Sequence, residues 1–469
     1  MPVDARGLFW APRAWLGSGP EAGWHEQVVL EADVQGRWQA VSPGVAKPEG
    51  AQVLAGPVLP GLVDAHSHAF QRAFAGLAER REQASDDFWS WRDRMYRVAL
   101  RVDASALKAI ATQLYTELLH GGYTQVCEFH YLHHQPDGKP YEDPLELSWA
   151  LADAAQAAGI GLTMLPVLYQ RAGFSQHELR DDQRRFAGTP MSVWKAHEQL
   201  MRSKRPLLHA GVAIHSLRAA APESITALQR LVGQLENCPI HIHIAEQSLE
   251  VDDCVTATGM RPIDWLCRTM SPDSRWHLVH ATHATPAEID AVAARGAGVV
   301  LCPSTEGNLG DGLADLTRWL AAGVPCSIGS DSHVTRAWPE ELRWLDYGQR
   351  LHRRARNVSA SPEHGQPSTA ARLFDVALRA GAAAAGFPTW GLVPGARADL
   401  LVLDVKDSAL LGVPPERTLD ALVFSSPGDA IRDVYVAGHR VIENRCHPNA
   451  DAQARIFERA MQALWAEEG

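Results

Sequence analysis

The chain has no run of about twenty apolar residues, so no helix able to cross a bilayer is expected. It has no block of lysine or arginine either. Its 44 basic residues stand against 55 acidic ones, a formal net charge of −11. That balance argues against a nucleic-acid partner, because surfaces that track phosphates are basic. The seven cysteines (Cys127, Cys238, Cys254, Cys267, Cys302, Cys326 and Cys446) are odd in number and include no C-x-x-C pair. Reduced thiols fit that pattern better than a disulfide framework or a structural zinc knot. Met1–Trp15 carries Arg6 and Arg13 but no uninterrupted apolar core, so a secretory signal is not expected and a cytoplasmic location is. Low-complexity tracts and repeats of about 20–50 residues are also missing.

What is present is ordinary in amount: 469 residues, 46% hydrophobic and 21% charged. The length suits one large domain of about 250 residues or more with insertions, plus a smaller companion. From Gly7 to Pro57 short β-like runs (Gly7–Leu16, Glu26–Ala32, Trp38–Val41) are broken by Gly and Pro. Strand-like and helix-like segments then alternate. The strand candidates are Val58–Val63, Gln125–His130, Gly161–Leu168, Gly211–His215, Pro239–Ala245, Trp276–His280, Gly298–Pro303 and Val324–Ser330. Between them lie helical stretches such as Ala104–His120, Leu145–Ala158, Pro222–Leu235 and Thr285–Arg295. Eight strands alternating with helices predict an α/β fold, a (β/α)8 barrel whose active site sits at the C-terminal strand ends. After Phe387 β-like runs return at Ala398–Asp404 and Ile431–Val441, the latter with an Ala437-Gly438 turn. The expected division is residues 1–57 and 389–469 as the two halves of one discontinuous β-sandwich, and residues 58–388 as the barrel. An amphipathic helix at about Ala452–Glu467 should pack outside.

Three strand ends carry the chemistry: His66-Ser67-His68, His243-Ile244-Ala245-Glu246 and Gly329-Ser330-Asp331-Ser332-His333. Side chains alternate along a strand, so a His-x-His pair puts two imidazoles on one face. A lone pair of this kind is weak in a chain with 21 histidines. A third His and an Asp from other strand ends complete a mononuclear divalent site with room for water. His241 and His243 point the same way; His243 lies nearer the C-terminal end, which leaves His241 a layer below. No lysine occurs in Gly161–Leu168 or Gly211–Arg218 to bridge a second metal. Zinc suits His66, His68, His243 and Asp331, and iron can use the same ligands. A metal so held makes hydroxide available near neutral pH, with Asp331 a proton acceptor. His280 is placed to assist deprotonation or hold the hydroxide, and Glu246 to carry a proton to the nitrogen of an attacked C=N bond. His283 reads as a loop residue, His333 as support for the loop after Asp331, and His130, His133 and His134 as a wall. An arginine alone is usually a solvated surface residue, but Arg92 and Arg218 are the candidates that could clamp a dicarboxylate.

The run Leu59-Pro60-Gly61 … His66-Ser67-His68-Ala69-Phe70-Gln71-Arg72-Ala73 resembles the formimidoylglutamate deiminases of the amidohydrolase superfamily. So do Glu128-Phe129-His130-Tyr131, His215-Ser216-Leu217-Arg218, His241 to Gln247, Leu278 to His283, Asn308-Leu309-Gly310-Asp311-Gly312 and Gly329 to His333. Asp64-Ala65 departs from the Asn-Leu pair expected before the metal pair. The resemblance implies hydrolysis of N-formimino-L-glutamate to N-formyl-L-glutamate and ammonia, a step of histidine degradation. It also implies zinc on His66, His68, His243 and Asp331, proton transfer by Glu246 and His280, and substrate contacts from Gln71, Arg92, Tyr131, His215 and Arg218. A homodimer is common among such relatives. Two alternatives compete: a deaminase of a cyclic amidine such as a purine or pyrimidine, whose neutral ring offers the arginines no carboxylate, and a scaffold that has lost catalysis. The scaffold reading sits poorly with a full set of ligand candidates.

Overall fold

The computed structural model describes residues 7–81, 87–427 and 429–466; Arg6 and Glu467 lie outside the described residues. Eight parallel strands run in chain order around a barrel: Leu62–Ser67, Tyr123–His130, Gly161–Leu168, Val212–Ser216, Ile240–Ile244, Trp276–His280, Gly298–Leu301 and Cys326–Ile328. Every residue of these strands is buried. That is why they read as near-continuous apolar runs rather than alternating ones: helices cover the outer face and side chains fill the inner one.

Local signals set the helices that follow. Asp103 caps Ala104–His120 by accepting from Ala106 N at 2.7 Å. Thr285 and Glu288 form a capping box at the start of Pro286–Arg295. Gly159, at φ 82°, ends Glu146–Ala158 in the left-handed conformation that only glycine adopts without strain.

The terminal segments build a second sheet of eight strands, in which Val58–Leu59 lies between Gly7–Leu16 and Leu400–Leu403. Phe9, Val28, Trp38, Leu400 and Tyr435 share its separate core, with the Phe9 ring edge-on to Trp38 and Tyr435. Here the sequence reading needs correction. Val58–Val63 is not one barrel strand: Val58–Leu59 pairs with the terminal sheet, and the first barrel strand starts at Leu62. Pro60, which has no N–H to donate, and Gly61 mark the break. The fourth strand also starts earlier than read, because Leu208–Ala210 already pairs with the third. Gly211 interrupts it where a Cβ would meet Pro239 at 2.6 Å. Ile431–Val436 and His439–Ile442 form the hairpin expected around Ala437-Gly438. The last helix, Ala450–Trp465, lies against Ala104–His120, where Thr116 Oγ1 donates to Gln453 at 3.0 Å.

The barrel closes between its first and eighth strands. Ser67 and Asp331 form a parallel bridge, Asp331 N donates to His66 O at 2.9 Å, and His68 N donates to Asp331 O at 3.3 Å. Buried Asp64 fastens the same seam, accepting from Ser330 N at 2.9 Å and Ser330 Oγ at 2.6 Å. The strands can approach this closely only because position 329 is glycine: a Cβ there would lie 2.6 Å from the Cβ of His66. Gly329→Ala is therefore expected to destabilise the protein by about 1–3 kcal/mol through overpacking. The check is a lower urea midpoint at unchanged m-value.

Candidate active site

At the C-terminal ends of the strands the Nε2 atoms of three imidazoles converge. His243 Nε2 lies 2.9 Å from that of His66, and His68 Nε2 lies 3.1 Å from it. Asp331 Oδ1 stands 3.6 Å from His66 and 3.5 Å from His68. Tetrahedral ligands at zinc-like bond lengths of about 2.0–2.1 Å are themselves about 3.3 Å apart, so each of these contacts is at coordination spacing; His66 groups with His68 and Asp331 on one side, and with His243 and His280 in a second set.

Proton positions distinguish a cation site from a histidine cluster. His68 Nδ1 lies 3.0 Å from Phe129 O, and His243 Nδ1 lies 3.0 Å from His215 O. A carbonyl only accepts, so Nδ1 carries the proton in both rings and Nε2 presents a lone pair. Burial holds the pKa of His68 down to about 3 and keeps those of His66 and His243 well below the usual value. Neutral rings with facing lone pairs repel one another unless a cation sits among them. The donor set therefore fits a divalent metal. Among the described residues, every group of three or more side chains able to hold one draws on His66, His280 or Asp331.

The strand ends turn sharply to present these groups. Ala245, His280, Ala281, Asp331 and His333 have φ between 46° and 68°, left-handed values that non-glycine residues adopt only under strain. Buried carboxyls hold the turns. Glu250 accepts from both Ala245 N and Glu246 N at 3.1 Å, which fixes the elbow bearing Glu246. Glu128 accepts from Ala69 N at 2.6 Å and Ser67 Oγ at 2.8 Å, which fixes the segment around His68. Burial raises the pKa of Glu128 to about 8 and that of Asp64 to about 7.

His280 Nε2 lies 3.7 Å from Glu246 Oε1 and 3.8 Å from Asp331 Oδ2. Burial lowers its pKa, but Glu246, Glu306 and Asp331 overcome that effect and push it up to about 10. Burial raises Asp331 to about 7.

A cavity of about 40 Å³ adjoins these groups, and Gln71, Arg92, Tyr131, His215 and Arg218 all line it. Both guanidiniums lie over the ring of Trp89, at 4.6 Å for Arg92 and 5.4 Å for Arg218. The Nε atoms of both arginines and Oε1 of Gln71 are buried without a hydrogen-bond partner. Gln71 Nε2 donates to Tyr131 at 3.3 Å.

Four other histidines take backbone partners. His241 Nε2 bonds Ala384 O at 2.8 Å, a layer below the ligands. His333 Nε2 bonds His68 O at 3.0 Å, and His283 lies in the turn after the sixth strand. His133 and His134 bond Val167 O and Ala187 O and line a separate cavity of about 420 Å³. Glu250 and Glu306 were missed by the sequence reading. Glu250, one helical turn past Glu246, left a trace in its spacing; Glu306 left none.

A family model described as "Amidohydrolase family" matches residues 58–441. The chain belongs to the amidohydrolase family. This amidohydrolase is 46% identical over 460 residues to a formimidoylglutamate deiminase of Pseudomonas aeruginosa, covering 97% of this chain and 99% of that protein. It is 26% identical over 397 residues to a 5-methylthioadenosine/S-adenosylhomocysteine deaminase of Natronomonas pharaonis, covering 85% and 84%. The crystal structure of an amidohydrolase from Brucella melitensis superposes with a TM-score of 0.91 at 39% identity, covering 98% of this chain and 100% of that one. A zinc-bound adenosine deaminase from Xanthomonas campestris shares the fold, with a TM-score of 0.80 at 21% identity over 98% and 99% of the two chains.

The choice between His243 and His241 can be tested directly. His243→Asn should lower the divalent metal retained after gel filtration, measured by plasma mass spectrometry. His241→Asn should leave it unchanged.

Proposed function

We propose that this amidohydrolase hydrolyses N-formimino-L-glutamate to N-formyl-L-glutamate and ammonia, with one zinc ion held by His66, His68, His243 and Asp331. The observation that carries this reading is the pair of buried arginines, each with an unpartnered Nε, in the cavity beside the four converging ligands. Asp93 pairs with Arg92 Nη2 at 3.5 Å, but a buried N–H left without an acceptor is costly, so the two free Nε donors suit the cavity to an anionic ligand. The 46% identical relative, a formimidoylglutamate deiminase, supports the same choice.

A divalent metal on these residues would make hydroxide available at neutral pH. Asp331 Oδ2 and His280 Nε2, 3.8 Å apart, bracket the position from which a proton must leave the attacking oxygen. The departing nitrogen needs a proton, and Glu246 Oε1, 3.7 Å from His280 Nε2, is the acid that can deliver it. Arg92 and Arg218 bind the two carboxylates, while Gln71, Tyr131 and His215 orient the chain between them. One water is consumed, one C–N bond is cleaved and one ammonia is released. A cavity of about 40 Å³ holds only a few waters. Its walls, including the helix Phe88–Ala99 that carries Arg92, must part to admit a dicarboxylate. The setting we propose is cytoplasmic histidine degradation; the seven free thiols are compatible with it. A neutral purine or pyrimidine would offer the two Nε donors no carboxylate.

The test is ammonia release from N-formimino-L-glutamate by zinc-loaded and chelator-stripped protein. Release by the loaded form alone, with N-formylglutamate as co-product, is expected. No release from the loaded form, with turnover of a cyclic amidine instead, would overturn the substrate assignment. Arg218→Met should reduce kcat/KM by about 2–5 kcal/mol, chiefly through KM, because one substrate carboxylate is then buried unpaired. Michaelis–Menten kinetics on the variant checks this.

A further inference from the structure

The seventh strand ends at Leu301, and the chain then turns into the short helix Pro303–Leu309, which carries Glu306 beneath the proposed reacting centre. Glu306 Oε1 lies 3.4 Å from His280 Nδ1 and accepts from Cys302 N at 2.9 Å. Both side chains are buried, at 1% exposure for His280 and 4% for Glu306. Glu306 is held in turn by its own backbone: its N–H donates to Cys302 O at 2.9 Å, and its carbonyl accepts from Asp311 N at 3.0 Å.

His280 needs such a partner. Its backbone is left-handed, as is that of Ala281, so the chain leaves the strand exactly where the ring must be aimed. Stacking on His243, at 5.5 Å with planes 18° apart, fixes the plane of the ring but not which nitrogen faces the centre. A flip about the last side-chain torsion would exchange carbon and nitrogen at the site. The carboxylate on Nδ1 is the contact that distinguishes the two orientations. A histidine held by a third group follows the same logic that orders the histidine of a catalytic triad.

We propose that Glu306 is a positioning residue for the hydrolysis: by accepting from His280 Nδ1 it aims Nε2 at the space between Glu246 and Asp331. This deepens the function proposed above and rests on it for the choice of assay substrate. No proton passes to Glu306 in the cycle. It accepts the same hydrogen bond throughout, and its effect on the reaction runs entirely through the orientation of His280.

A double-mutant cycle tests this. Glu306→Gln should lower kcat by about 10–100-fold, the range for residues that orient a metal-site histidine, with KM and metal content little changed. In a His280→Asn background the same substitution should have no further effect, because its only route to the chemistry is gone. Equal losses in both backgrounds, or a wild-type kcat for Glu306→Gln, would overturn the proposal, as would loss of the divalent ion from that variant. If Glu306→Gln does not fold, Glu306→Asp enters the same cycle with the same criteria. A second readout does not depend on turnover. In protein with 15N-labelled histidine, the His280 ring signals are those that vanish in His280→Asn. They should move in Glu306→Gln, and unmoved signals would overturn the positioning role. Wild-type protein that fails to release ammonia would overturn only the substrate assignment, and the 15N comparison would still decide the role of Glu306.

Discussion

The hydrogen bond from Asp331 N to His66 O closes the barrel, and the same two residues are ligand candidates. Closure and site assembly are thus one event. Until the eighth strand meets the first, Asp331 and the His66–His68 pair, some 260 residues apart in sequence, have no fixed relation. Once they meet, the parallel register leaves no freedom to slide, because a slip of one residue would turn every side chain to the opposite face. Asp64 locks that register through Ser330, and Gly329 permits the approach. A divalent ion held by these residues would reinforce the seam, because its ligands come together only in the closed form.

A ring of buried carboxyls carries the next level of order. Asp64, Glu128, Glu250, Glu306 and Glu341 each accept at least one backbone N–H from a loop at the strand ends. Such bonds are roughly twice as strong as neutral ones when the carboxyl is ionised. Two of them act beside left-handed non-glycine residues, where the backbone alone would relax: Glu250 on Ala245 itself, and Asp64 on Ser330 next to Asp331. The strain at Ala245 and Asp331 persists because these bonds over-determine it.

The barrel was legible because parallel strands buried on both faces leave apolar runs, and alternation with helices fixes the connectivity. The ligand candidates were legible because metal sites need few residue types at strand ends. His241 and His243 could be separated by depth alone, and the structure places His241 on a backbone carbonyl. The break at Pro60-Gly61 was harder: Val58–Leu59 is apolar and β-forming like its neighbours, and only its partner strand assigns it to the terminal sheet. The carboxyl layer was least legible. Glu306 and Glu341 look like any helical glutamate until a distant strand end arrives beside them, and burial is a property of that meeting rather than of the local sequence.

Charge of both signs meets at the cavity. Two guanidiniums lie over Trp89, and Glu250 and Glu246 act on that of Arg218. Burial, with the charges of Glu246, Glu306 and Asp331, raises the pKa of nearby Asp311 to about 9. A ligand that satisfies both kinds of group must itself be asymmetric, anionic at one end and able to accept and release protons on nitrogen at the other. A linear amidine bearing two carboxylates has that form; a neutral planar ring does not. In so small a cavity the arginines are already dry, so a carboxylate that reaches them gains a strong, poorly screened interaction. The binding energy is thus concentrated at the end of the substrate away from the bond that breaks. There it can hold the formimino carbon in register with Glu246 and His280 without stabilising the ground state at the reacting centre.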